Sequence, residues 1–179
     1  GHAGFMSVGA YFSAAVSLFL VPKLLGDAEA GAVQQGGFFL AALFAGGLCA
    51  AFAGLLVGVP SLRLKGDYLA LVTLGFGEII RVVFQNVEVL GGALGLNGIP
   101  AHTTIFWVIA FVALTVFVVT SLVHSTYGRG FLATHDDEIA SEAIGLNTTN
   151  YKIVAFVIGA FFAGIAGGLY GHFKLTITP

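Results

Sequence analysis

Charge falls along this chain in short clumps separated by long apolar stretches. Residues 1–22 contain no Lys, Arg, Asp or Glu, and neither do residues 30–62, Thr104–Val123 or Ile153–Phe173. A helix rises about 1.5 Å per residue, so about 20 apolar residues cross about 30 Å of hydrocarbon. Each of these runs therefore predicts a transmembrane helix. Tyr68–Gln85, "YLALVTLGFGEIIRVVFQ", predicts a fifth, although it holds Glu78 and Arg81. The expected fold class is all-α: a polytopic transmembrane helical bundle of about five spanning helices, with one short helix outside the membrane.

The polar segments between the spans are Val21–Gln35, Ser61–Asp67, Asn86–Thr103 and His124–Lys152. Successive spans alternate direction, so Ser61–Asp67 and His124–Lys152 share one side. Together they carry Arg63, Lys65, Arg129 and Lys152, against Lys23 and Lys174 on the other side. The positive-inside rule puts the 124–152 loop in the cytoplasm.

Small residues recur every fourth position in two of the spans. Ala42, Gly46, Ala50, Gly54 and Gly58 form one row; Ala160, Gly164 and Gly168 form another, flanked by Ala163, Gly167 and Gly171. Such a row lies along one stripe of a helix and lets a neighbouring backbone approach closely. Tight helix packing is expected there.

The stretch "ATHDDEIASEAIGLN", Ala133–Asn147, interrupts the apolar pattern with Asp136, Asp137, Glu138 and Glu142, four of the nine acidic residues. Thr134 and Asp137 have capping-box spacing, and the early acids suit the positive end of a helix dipole. Ile139, Ala140, Ala143 and Ile144 fall on one face, with Asp137, Glu138, Ser141 and Glu142 largely on the other. Gly145 is a natural stop. The pattern predicts a helix of about two and a half turns, too short to span. It reads either as a solvated connector or as a docking helix that offers its apolar face to a soluble partner.

Composition sharpens the class. The chain is 58% hydrophobic and only 9% charged, where a soluble domain has about 25% charged residues. Too little polar surface exists to cover a body in water, so lipid is the main solvent. A net charge of −2 gives no argument for nucleic acid. The single cysteine, Cys49, excludes an intrachain disulfide. No basic segment precedes the first apolar run, so no signal peptide is expected, and the chain reads as an internal piece of a longer membrane protein.

Glu78 sits about ten residues, or about 15 Å, into its span. A charge at that depth is costly and by default functional. Arg81, three residues on, shares its face. In one reading the pair neutralises itself, with Arg81 reaching toward the interface. In the other, Thr73, Gly75, Gly77, Glu78 and Arg81 line a translocation path. Gly75 and Gly77 could break the helix and expose backbone dipoles that suit a zwitterion.

Several chemistries find no support. No G-x-x-x-x-G-K-[ST] sequence occurs, so ATP is not held through a P-loop and its energy would come from another subunit. No cofactor and no metal site are expected. The histidines His2, His102, His124, His135 and His172 are scattered, without ligand spacing, and read mostly as interfacial. No Ser, His and acid set points to a nucleophile, so the chain reads as a non-enzyme. "NTT" at Asn147 reads as a chance sequon, and Trp107 as an interfacial anchor.

Four stretches carry a family resemblance. "EIASEAIGLNTTNYKIVAFVIGAFFAGIAGGLY" resembles the cytoplasmic EAA-type loop, and the span after it, of ABC importer permeases for branched-chain amino acids. "PSLRLKGDYLALVTLGFGEIIRVVF" resembles the other strong signature of that family, in its LivM-like branch, and "GHAGFMSVGAY" and "GGALGLNGIP" look like it too. The resemblance covers essentially the whole chain, in order, and a full family member is longer at both ends. It implies one transmembrane permease domain over 1–179, with the coupling loop at 124–152. It further implies that Asp137, Glu138, Ala140, Glu142, Ala143 and Gly145 form a coupling helix seated in a groove on an ATPase subunit. The coupling stretch as a whole runs from Asp136 through Ile139, Ser141 and Ile144 to Gly145. "GRGFLATHDDE" departs from the family: Leu132, Thr134 and His135 stand where arginines are usual. The implied partners are ABC ATPase subunits, a second homologous permease in a heterodimer, and a periplasmic or lipid-anchored substrate-binding protein facing Asn86–Thr103. Membrane lipid is the remaining partner, in a bacterial or archaeal plasma (inner) membrane. The expected function is import of Leu, Ile and Val. Its rivals are urea or short amides carried by the same mechanism, an ion-coupled secondary transporter using Glu78, and a structural scaffold.

Overall fold

In the computed structural model, which describes residues 2–20, 23, 32–64 and 67–178, the expected spans are helices. Helix α1 covers His2–Ala15 and runs on through a π-helical turn, Val16–Leu20. Then come α2 (Ala32–Ser61), α3 (Asp67–Asn86), α4 (Ile105–His124), α5 (Thr126–Asp136), α6 (Glu138–Ala143) and α7 (Thr148–Lys174). Five stretches, in α1 with its π turn and in α2, α3, α4 and α7, are long and apolar enough to cross a membrane. The chain is a polytopic helical bundle. Most of the 21–35 connection, and Lys65, lie outside the described residues.

Three of the spans form the core. In α1, α2 and α7, 44%, 39% and 33% of the apolar window is buried, against 6% in each of α3 and α4. The small-residue rows explain the difference. Ala42, Gly46, Ala50, Gly54 and Gly58 are all buried, as are Ala160, Gly164 and Gly168. A methyl group placed on Gly9 of α1 would lie 2.2 Å from the Gly164 backbone, and one on Gly46 would lie 2.6 Å from the Gly9 carbonyl. One on Gly167 would lie 1.9 Å from the Met6 carbonyl. The three backbones touch where the residues have no side chain, which is how helices associate when lipid offers no hydrophobic drive.

Helix α3 leans mainly on α1, through Gly4 against Gly77 and through Tyr11, whose ring stacks on Phe84 at 4.4 Å, and more lightly on α2. Helix α4 touches the core through Phe111, which joins Phe39, Leu43, Ile165 and Leu169 in a second apolar cluster. The sequence pattern did not predict strands, yet Leu96–Asn97 pairs antiparallel with Thr176–Ile177. This ribbon folds the glycine-rich 87–104 loop over one end of the bundle. Gly95 has φ +78, and a methyl there would meet the Ile177 carbonyl at 2.1 Å, so only glycine fits that corner.

Candidate functional site

The acidic stretch lies at the end of the bundle opposite that ribbon, because α4 ends and α7 begins there. Ser125 starts it, accepting a hydrogen bond from the Gly128 amide at 3.1 Å as the N-cap of α5. Gly130 lets α5 lie against the Tyr151 ring at the base of α7, and Tyr127 and Phe131 flank that ring at 5.6 and 5.3 Å. The expected single helix of about two and a half turns is corrected here. The segment folds as two helices, and α6 has only six residues. Thr134 does not cap it: its hydroxyl donates to the Gly130 carbonyl within α5. Asp137, in extended conformation between the helices, is the cap, accepting from the Ile139 and Ala140 amides at 2.9 and 3.0 Å. Its side chain satisfies two amides that the broken helix would leave unbonded.

Gly145, at φ +89, ends α6. The Gly145 amide donates to Glu142 and the Leu146 amide to Ser141, both at 3.0 Å, which is the Schellman pattern. Asn147 then caps α7, accepting from the Asn150 amide at 3.1 Å, a structural use for the residue that opens the sequon match.

The polar face of α6 turns inward. Glu138 pairs with Lys152 at 2.6 Å, each side chain 27% exposed. Glu142 accepts from the buried Thr148 hydroxyl at 2.7 Å, and Ser141 is buried. The opposite face is bare: Ile139 and Ile144 are each 76% exposed, with Ala140 and Ala143 exposed between them. Asp136 and His135 pair at the surface at 3.2 Å. The acids anchor the short helix to α7 and leave an apolar face outward.

The second candidate cluster lies along α3. Helix α3 runs unbroken through Gly75 and Gly77, so the expected helix break is absent. A helix interior tolerates glycine at a cost of about 1 kcal/mol, and every backbone bond here is still made within the helix. Thr73, Gly77, Glu78 and Arg81 meet Ala3, Gly4 and Ser7 of α1 around a cavity of about 220 Å³. Gly75 lies apart from it, in open space. Glu78 and Arg81 pair at 3.4 Å, with their side chains 69% and 54% exposed.

A third polar cluster escaped the sequence reading. His172, expected at an interface, is fully buried. Its Nε2 lies 2.9 Å from the Ser17 hydroxyl and its Nδ1 2.8 Å from the Gly168 carbonyl. A carbonyl only accepts, so Nδ1 carries a proton toward Gly168 and Nε2 faces the Ser17 hydroxyl. Ser13, one turn below Ser17, is fully buried with its hydroxyl unbonded. His102, in the loop, lies tilted beside His172 with ring centroids 6.3 Å apart, and burial pushes its imidazole below the ordinary value of 6.5. The signal was present. His172 is the next step of the row Ala160, Gly164, Gly168, and Ser13 and Ser17 continue from Gly9.

Five apolar helices among the described residues, a glycine-lined core and the two short capped helices α5 and α6 at one end define a multi-pass helical membrane protein. A protein-family model described as "Branched-chain amino acid transport system / permease component" matches residues 1–179. The chain is 34% identical, over its whole length, to the high-affinity branched-chain amino acid transport system permease protein LivM of Salmonella typhimurium, covering 47% of it. The probable branched-chain amino acid transport permease protein LivM of Methanocaldococcus jannaschii is 26% identical over 73% of this chain and 42% of its own. The corresponding permease protein LivH of Salmonella typhimurium is 35% identical over 54% of this chain and 32% of its own. The chain belongs to the branched-chain amino acid transport permease family. It spans about half the length of the curated relatives it matches. No solved structure matches it.

Proposed function

We propose that this chain is the membrane-spanning domain of a permease subunit in an ABC importer, carrying leucine, isoleucine and valine into the cytoplasm. A separate ATPase drives it through α6, and the permease itself does no covalent chemistry. The observation that carries the reading is the orientation of α6. Its acids are used up internally on Lys152 and Thr148, while Ile139 and Ile144 face outward from a helix capped at both ends. A stiff rod with an exposed apolar face suits the handover of a push from a soluble engine to the spans beside it. Arg129 and Lys152 lie on the same end, which favours the cytoplasm for it. Similarity to both LivM and LivH supports a pair of homologous permeases, and the ribbon-bound 87–104 loop is the surface left for an external binding protein. The membrane is the plasma membrane of a bacterium or archaeon, and the polar edge of α3 lines the translocation path.

The test is uptake of labelled leucine into proteoliposomes holding the full-length permease pair, its ATPase and its binding protein. Uptake should require ATP and the ATPase, and Ala143→Arg in α6 should abolish both uptake and ATPase docking. ATP-independent uptake driven by a Na⁺ or proton gradient would favour an ion-coupled carrier and refute the reading. Uptake of urea in place of leucine would keep the mechanism and change the cargo.

A further inference from the structure

The charged pair of α3 has features that mutual neutralisation does not explain. Glu78 lies eleven residues past Asp67, about 16 Å along the helix, near mid-membrane. Charges at that depth face protein or an aqueous cavity and not lipid. A carboxylate and a guanidinium that served only each other would close to about 2.8 Å and bury themselves. Here they stand 3.4 Å apart, more than half exposed, on the rim of the α1–α3 cavity. Each makes this one hydrogen bond among the described residues. Glu78 keeps a second oxygen and Arg81 most of its N–H donors for something else.

The rest of the lining has a matching division. Ser7 and Thr73 bring hydroxyls, while Leu74 and Ile80 bring aliphatic surface. Gly4 lets the two backbones come close, since a methyl there would lie 3.3 Å from both the Gly77 Cα and the Ile80 side chain, which keeps the cavity small. At about 220 Å³ it is on the scale of one small molecule and not of a peptide. Because α3 does not break, no freed backbone dipoles are offered here, and recognition of charge falls to the side chains.

We propose that Glu78 and Arg81 form a subsite for the head group of a zwitterionic aliphatic α-amino acid. The substrate ammonium pairs with Glu78, its carboxylate takes the Arg81 fork, and its side chain lies on Leu74 and Ile80. The loose Glu78–Arg81 pair holds the charges in place when the subsite is empty and opens to two pairs when it is filled. This rests on the permease reading above.

The test measures binding of labelled leucine to the reconstituted full-length permease–ATPase complex without its binding protein, alongside uptake by the complete transporter. Competitors are 4-methylpentanoate, which lacks the ammonium, and isoamylamine, which lacks the carboxylate. The unaltered complex should discriminate strongly against both. Glu78→Gln should weaken leucine at least tenfold and lose discrimination against 4-methylpentanoate. Arg81→Gln should do the same and lose discrimination against isoamylamine. Glu78→Asp and Arg81→Lys should partly restore each, and they stand in where a Gln variant fails to assemble. Leucine transport by the unaltered complex with no saturable binding would overturn the subsite, as would weakened binding with discrimination unchanged. Absence of leucine transport by the unaltered complex would instead refute the permease reading, so the two failures are separable.

Discussion

Gly9→Ala is a sharp probe of how the three core spans are held. The added methyl would lie 2.2 Å from both the Cα and the carbonyl oxygen of Gly164, where ordinary contact begins at 3.4 Å. Both atoms are backbone, so no side chain can rotate away, and α1 must retreat from α7 by about 1.2 Å, the difference of those two distances. The retreat also opens the neighbouring contacts, Met6 against Gly167 and Ser13 against Gly168. A gap of that size forfeits about half of each contact; for ~30 contacts of ~0.15 kcal/mol the loss is ~2 kcal/mol. That falls inside the ~1–3 kcal/mol usual for overpacking. A thermal melt of the full-length permease in nanodiscs should show the Gly9→Ala midpoint lowered by about 2–4 °C, since the shift per kcal/mol shrinks with size. Gly37→Ala is the control. Nothing lies within 4 Å of a methyl there, so the midpoint should hold or rise. Gly164→Ala adds a finer test. Its methyl meets the Ala50 side chain first, at 2.5 Å, so Ala50→Gly should partly rescue it and should not rescue Gly9→Ala. A Gly9→Ala melt equal to that of the unaltered protein would refute backbone contact as the basis of the core.

Further outcomes follow from the hairpin and the loop. On the proposed coupling role of α6, Ile139→Ala should weaken ATPase docking by about tenfold or more, since burying an isoleucine contributes about 1.5–3 kcal/mol; pull-down of the ATPase by the permease measures it. Cysteine at Ile139 should react with a membrane-impermeant thiol reagent from the cytoplasmic side, and cysteine at the buried Ser141 far more slowly. Gly145→Ala should destabilise the hairpin by about 1–2 kcal/mol through its positive φ, seen as faster amide exchange in α6 with the spans unchanged. His102 titrates lower folded than unfolded, so its share of stability is present above the unfolded value of about 6.5 and lost as pH falls from there through the lower folded value. Amide protection in the 95–104 loop, corrected for the intrinsic pH dependence of exchange, should therefore fall at pH 5 relative to pH 7.5, and His102→Phe should remove the difference.

Much of this molecule is legible residue by residue. The spans follow from runs without charge, since hydrocarbon admits only segments that bond their own backbone. The packing rows at Gly46 and Gly164 follow from spacing, because every fourth residue returns to one stripe. The division of α6 into an apolar and a polar face was also visible, as was the stop at Gly145; the inward turn of its acids onto Lys152 and Thr148 was not. The division into α5 and α6 was not. Thr134 and Asp137 are both competent caps, and the choice went to Asp137 because α5 extends past Thr134 while packing on Tyr151. The helix through Gly75 and Gly77 was misjudged because propensity penalises glycine, whereas in a membrane a broken helix costs more.

What the sequence determined alone is therefore periodic or local: which segments cross, which stripes are small, which loop carries the acids, and the family those stretches resemble. The tertiary structure decided which stripes meet, and with them the burial of His172 against Ser17 and the gathering of Ser7, Thr73, Glu78 and Arg81 around one cavity. Those meetings join residues far apart in the chain, and no local pattern specifies the depth and rotation at which two helices cross. Those are set when Gly9, Gly46 and Gly164 bring three backbones into contact.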